Sequence, residues 1–186
     1  MQVETTKKLF TVDEYYRMAE VGILKPEDRV ELIDGEIIEM SPIGDRHAGC
    51  VNRANHLLTV ALATRAVVSV QNPLQLNNYT EPEPDIVVLK PRTDYYASKK
   101  IQAEDALLVI EVAETTLSYD RRIKLPRYAT AGIPEVWIED LKSNTLLLYR
   151  NPEGSVFTQS LVLRGEQTVT LHGFPDVTFS VNDLLV

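Results

Sequence analysis

Glu111 stands in the middle of Ala106-Leu-Leu-Val-Ile-Glu-Val-Ala113, a run that is otherwise apolar and is bounded by polar residues. Such a run suits a strand covered on both faces. Taking an isolated carboxylate out of water there costs on the order of several kcal/mol unless it is protonated, paired or bound to a metal. A second carboxylate, Asp85, opens Asp85-Ile-Val-Val-Leu89 directly after Pro84. Pro-Asp is also common in turns, so the role of Asp85 depends on what lies beside it. If the two runs are neighbouring strands, as consecutive strands often are, the carboxylates converge at a strand mouth. Two hard oxygen donors, with water in the remaining positions, form the ligand set that Mg²⁺ or Mn²⁺ prefers.

The segment after the Glu111 strand reads Ser118-Tyr-Asp-Arg-Arg-Ile-Lys-Leu-Pro-Arg-Tyr128. Arg121, Arg122, Lys124 and Arg127 crowd four positive charges into it, and the usual fate of such a run is a solvated helix face. Here the helix leaves the very strand that carries Glu111. Asp120, Lys124 and Tyr128 recur every four residues on one side, which lets Lys124 reach the strand mouth. A lysine there offsets charge developing on a phosphate. Upstream, Asp34-Gly35 between two apolar-rich runs is a strong hairpin signal. A two-residue turn pairs Ile33 with Glu36 and Glu31 with Ile38, so these four share one face. Two glutamates on an isoleucine face are either solvated at an edge or directed at a site.

These residues need elements to place them. Thr11 and Glu14 stand in capping-box spacing and start a helix that ends near Gly22. Apolar residues at Cys50, Val51, Ala54, Leu57, Leu58, Ala61 and Leu62 predict a helix from His47 to about Arg65. Ala66–Val70 reads as a strand with Leu74–Leu76 as a short extension, and residues 90–104 as a loop. A third helix is expected over Leu117–Ala131, kinked or split by Pro126 and stopped by Gly132. Glu135–Glu139, Thr145–Tyr149 and Val156–Leu163 read as strands, with Asn151–Gly154 as a turn and short β segments beyond. The expected class is α/β (α+β): one domain over 1–186, a central mixed β-sheet flanked by helices.

Composition narrows the function. The chain has 186 residues and a net charge of −8 from 19 basic and 27 acidic residues, which argues against a protein that coats nucleic acid. It leaves room for a metal-dependent nuclease, which needs clustered carboxylates and only a local basic strip. The lone Cys50 excludes a disulfide framework and a cysteine-rich zinc module. His47, His56 and His172 lack metal-ligand spacing, and no Gly-rich phosphate loop occurs. The paired tyrosines at 15–16 and 95–96 suit base stacking and core packing equally. No apolar run is long enough to span a membrane and the first residues lack the apolar core of a signal peptide, so a cytoplasmic location is expected.

Taken in order, the Glu-Leu-Ile-Asp-Gly-Glu hairpin, the Pro-Asp-Ile-Val-Val and Val-Ile-Glu-Val-Ala strands, Asp-Arg-Arg-Ile-Lys-Leu-Pro-Arg-Tyr and Ala-Gly-Ile-Pro-Glu-Val-Trp-Ile-Glu-Asp resemble the Uma2 family. That family is bacterial, abundant in cyanobacteria, and was formerly a domain of unknown function. It is placed in the PD-(D/E)XK superfamily. The resemblance covers roughly residues 10–185. It implies a restriction-endonuclease-like core and a divalent-metal phosphodiesterase site. Asp85 then matches the aspartate of the first half-motif, Glu111 the acid of the second, and Glu31 the further glutamate of such nucleases. The superfamily places lysine two residues after the acid; that position is Ala113 here, so the lysine role falls to Lys124. Arg121, Arg122 and Arg127 become phosphate contacts, and a homodimer is the assembly that duplex cutting by this superfamily implies.

Two functions follow. One is an Mg²⁺- or Mn²⁺-dependent DNA endonuclease with Asp85 and Glu111 on the metal and Lys124 assisting the attacking water. The other is a non-catalytic regulatory or partner-binding protein on the same scaffold, favoured by Ala113 and by the net acidity.

Overall fold

The computed structural model describes residues 6–25 and 27–185; most of the segment read for a signal peptide, residues 1–5, lies outside them. Its centre is a six-stranded sheet in the order β3-β4-β5-β6-β7-β8. These strands are β3 (Val67–Val70), β4 (Ile86–Leu89), β5 (Ala106–Ala113), β6 (Glu135–Asp140), β7 (Thr145–Glu153) and β8 (Val156–Arg164). All neighbours are antiparallel except β5 and β6, which are joined by a helical crossover. The mixed sheet expected from the sequence is therefore present, and Ala106–Ala113 is the strand drawn from its composition.

Alternation along β4 and β5 gives the sheet two apolar faces. Ile86, Val88, Leu108, Ile110 and Val112 point to one side, where α2 (Asp45–Leu62) lays down Cys50, Val51, Ala54, Leu58 and Leu62. The hairpin of β9 (Thr168–Leu171) and β10 (Phe174–Ser180) and the short α5 (Val181–Leu184) complete that layer. Val87, Leu89, Val109 and Ala113 point to the other side, under Tyr128 and Ile133. Each large aliphatic side chain so buried contributes roughly 1.5–3 kcal/mol of transfer free energy.

α1 (Val12–Glu20) starts at the capping box of Thr11 and Glu14. β1 (Val30–Ile33) and β2 (Glu36–Glu39) form the expected hairpin in the expected register, Ile33 with Glu36 and Glu31 with Ile38. Asp34 and Gly35 both have positive φ, 51° and 77°, which a tight two-residue turn requires.

Three expectations shift. Leu74–Leu76 is no strand; Gln75 makes only a single parallel bridge to Gln102. The turn expected at Asn151–Gly154 moves on, because β7 continues to Glu153 and pairs Pro152 with Phe157. Beyond Arg150 β7 has no partner from β6, so the proline lacks no ladder donor there. The third helix is interrupted before Pro126 rather than at it. α3 (Leu117–Tyr119) leads into a π-helical turn, Asp120–Lys124, and then α4 (Leu125–Thr130), with Pro126 in its first turn. Leu125 donates to the carbonyl of Asp120, five residues back, and the widened turn makes room ahead of the ring.

Candidate active site

Asp85 lies one step beyond the Ile86–Ile110 pair, which places it across the sheet from Glu111. Its carboxylate crosses to the neighbouring strand, where the backbone N–H of Val112 donates to Oδ2 at 2.8 Å. Gln71 Nε2 donates to Oδ1 at 3.2 Å, and His47 Nε2 lies 3.1 Å from Oδ2. Gln71 reaches this position because the chain leaves β3 at positive φ, 50°. The hydrogen bond to Asp85 is the main reason the imidazole of His47 is held above its usual pKa.

Glu111 is 4% exposed and faces α4, where the Tyr128 hydroxyl donates to its Oε1 at 2.5 Å. Lys124, itself 6% exposed, places Nζ 3.2 Å from Glu111 Oε1 and 3.2 Å from Glu31 Oε2. The hairpin glutamate thus points inward, and it is further held by the Tyr119 hydroxyl at 3.0 Å and the Glu83 backbone N–H at 3.2 Å. Glu36, its companion on the ribbon face, is the solvated one and pairs with Lys7. Asp120 completes the group from the π turn and accepts from Thr116 Oγ1 at 2.7 Å.

Three buried carboxyl groups, Glu31, Glu111 and Asp120, therefore surround Lys124, the one buried lysine or arginine among the described residues, and buried Asp85 lines the same cavity. Burial pushes the Glu111 carboxyl up to about 8 against the pull of the Lys124 ammonium. Burial likewise pushes Asp120 up to about 6, again opposed by Lys124. Desolvation works against charge on Lys124, but Glu111, Glu31 and Asp120 outweigh it and hold the ammonium protonated. These groups line an open cavity of about 350 Å³ that also takes in Arg29, His47, Glu83 and Glu114.

All four residues singled out as catalytic, Glu31, Asp85, Glu111 and Lys124, come to this cavity. Arg121 and Arg122 are exposed on the π turn beside it. Arg127 is placed otherwise. Its guanidinium is ion-paired with Asp34 at the hairpin tip, a partly exposed contact that fastens β1–β2 to α4. Asp120 was visible in the four-residue spacing with Lys124 but carried no role. His47 and Gln71 gave no local signal, because both reach Asp85 from elements distant in the chain. Among the described residues no three His, Cys, Asp or Glu side chains stand pre-assembled around a cation position. Mg²⁺ does not need such a cage, since one or two carboxylates with waters and substrate phosphate suffice. An acid cluster with a single buried ammonium fits a divalent cation on charge grounds.

The sheet order, the crossover and the acid cluster at the strand mouths define a protein of the restriction-endonuclease-like fold. The model of the Uma2 family, described as "Putative restriction endonuclease", matches residues 12–182, and the chain belongs to that family. A solved structure from Anabaena variabilis ATCC 29413, described as a "putative nuclease belonging to DUF820", superposes with a TM-score of 0.73 at 17% identity. It covers 94% of this chain and 97% of that one. No curated protein matches the chain. No helix among the described residues is long and apolar enough to cross a membrane.

Proposed function

We propose that this chain is a divalent-metal-dependent endonuclease that hydrolyses phosphodiester bonds in DNA. The observation that carries the reading is Lys124, buried between Glu31 and Glu111 while Asp85 lies across the sheet from Glu111. A stability role alone gives no reason to gather four buried acids at the rim of one cavity, since buried ion pairs gain little over apolar packing.

Asp85 and Glu111 would hold Mg²⁺ or Mn²⁺. Bound there, such an ion supplies positive charge at the scissile phosphate and makes water a stronger acid. The remaining roles belong to the chain. Val112, Gln71 and His47 fix the Asp85 carboxylate, and Tyr128 fixes Glu111. Glu31, itself held by the Tyr119 hydroxyl, keeps Lys124 in place, and the ammonium orients the attacking water and offsets charge in the transition state. Arg121 and Arg122 contact the phosphate backbone without reading sequence.

The test is cleavage of duplex and single-stranded DNA with Mg²⁺ or Mn²⁺ across a range of salt, run with Asp85→Asn and Glu111→Gln. Expected is metal-dependent cutting that both substitutions abolish in folded protein. The other reading, a partner-binding protein on this scaffold, draws support from Ala113 and from Lys124 already occupying the carboxylates. It prevails if nothing is cut and neither metal raises the melting temperature by mass action.

A further inference from the structure

A second, open groove of about 600 Å³ is lined by the edge strand β3 and by one end of the extended segment 81–85. The segment serves both depressions: Glu83 and Asp85 line the active cavity and Glu81 lines the groove. Val70 and Asn72, also groove residues, flank the Gln71 that donates to Asp85.

The groove wall contains the most exposed aromatic ring among the described residues. Tyr95 is 74% exposed, and it and Tyr96 both have positive φ, 50° and 66°. Consecutive non-glycine residues in that region cost on the order of 1–3 kcal/mol each and persist only where the surroundings enforce them. Here they do. Arg92 forks onto Asp94 at 2.7 and 2.8 Å, Asp94 accepts from the Tyr96 N–H and Ser98 Oγ, and the Tyr96 hydroxyl donates to the Lys90 carbonyl at 2.8 Å. With Tyr96 buried beneath Arg92, the ring of Tyr95 is turned out to solvent. The bracing spends stability to present an apolar ring to water, which core packing does not explain.

The surrounding chemistry suits one class of ligand. Lys99 and Lys100 line the groove in a chain of net charge −8, and Lys99 is already paired with Asp105 at 2.9 Å and Glu104 at 3.3 Å. Lys100 makes no ion pair among the described residues and lies 3.8 Å from the Tyr16 ring centroid. Glu81, buried, takes the Tyr16 hydroxyl on one oxygen and so fixes the ring on which Lys100 lies. An exposed aromatic face beside an ammonium without an ion pair matches an unpaired nucleotide: a base to stack and a phosphate to neutralise. A duplex, whose bases are already stacked, makes no such use of Tyr95.

We propose that this groove binds single-stranded DNA, with a base stacked on Tyr95 and a backbone phosphate at Lys100. The proposal rests on the nuclease reading for its substrate. It assigns that site unpaired nucleotides next to the bond to be cut.

Fluorescence anisotropy of a short labelled single-stranded oligonucleotide of mixed sequence, and of its duplex, tests this in EDTA so that nothing is cut. The wild type is expected to bind the single strand more tightly than the duplex. Tyr95→Ala weakens single-strand binding at least about fivefold and leaves the duplex unchanged, Tyr95→Trp restores it, and Lys100→Ala lowers the salt slope by about one. The ring is exposed, so an unchanged melting temperature accompanies these variants. Equal weakening of both DNA forms by Tyr95→Ala, no weakening, or no wild-type binding to the single strand overturns the proposal. Cleavage is read separately. Binding through Tyr95 in a protein that cuts nothing with Mg²⁺ defeats the nuclease mechanism and keeps the groove. Cutting that ignores Tyr95→Ala, with single-strand binding unchanged, does the reverse.

Discussion

Lys124 decides the energetics of the site at the level of single residues. Removing one partner of a buried ion pair costs about 3–5 kcal/mol because the other is left uncompensated. Lys124→Met keeps most of the volume and leaves Glu31, Glu111 and Asp120 facing one another. We expect this variant to melt well below the wild type without metal. It should then gain more from added Mg²⁺ than the wild type does, because the ion no longer competes with an ammonium for the same oxygens. Cleavage should be lost all the same. A thermal-shift titration with both proteins reads this directly, and equal shifts would mean that Lys124 and the metal do not share the carboxylates. Tyr128→Phe is a milder change at the same place. It deletes the 2.5 Å hydrogen bond to Glu111 and should cost about 1–3 kcal/mol in denaturant unfolding.

Among the elements, the hairpin and the broken helix determine whether Glu31 and Lys124 meet. The hairpin was legible down to its register, since Asp34-Gly35 admits few turns and the apolar pattern admits one pairing. β5 was legible because an apolar run with one acid in it has few other places to go. The π turn was not: proline marks a break but does not say whether the helix bends, ends or widens ahead of the ring. Nor were His47 and Gln71, whose only link to Asp85 is tertiary. The hairpin also yields a prediction. Gly35 has φ 77°, and a Cβ there would lie 2.7 Å from Leu9 Cβ, so Gly35→Ala is both strained and crowded. It should cost about 1–3 kcal/mol. Because Arg127 ties Asp34 to α4, displacement of the tip should carry Glu31 away from Lys124. Activity is expected to fall with stability in this variant, whereas an Asp34→Asn change should weaken the tie with a smaller loss of melting temperature.

Across the whole molecule, the buried acids tie stability to pH with one sign. Glu139 and Glu135 are both fully buried on β6, yet their surroundings differ. Glu135 takes Trp137, Arg150 and the His172 backbone N–H, so both oxygens are satisfied. Glu139 has Cys50 Sγ at 2.8 Å on one oxygen and no hydrogen-bond partner on the other. Burial pushes it up to about 8, against the Cys50 hydrogen bond. A carboxyl whose folded pKa exceeds its unfolded one binds more protons in the native state. Its contribution is therefore fully present below about 4.5 and is lost as pH rises through 8. Glu111 behaves alike, Asp120 over a lower window to about 6, and His47 above its ordinary value in the same direction. Glu14, Asp176 and Asp183, held down mainly by hydrogen bonds from Lys8, Arg65 and Ser180, act oppositely but titrate below that window. Metal-free protein should thus lose stability steadily from pH 5 to pH 8, by about 1.4 kcal/mol per pH unit for each group resisting ionisation. Glu139→Gln retains the shape without the charge and should flatten that slope by the share of one group. Denaturant unfolding of wild type and variant at several pH values measures the difference. Parallel slopes would show that Glu139 ionises as readily in the folded chain as in the unfolded one.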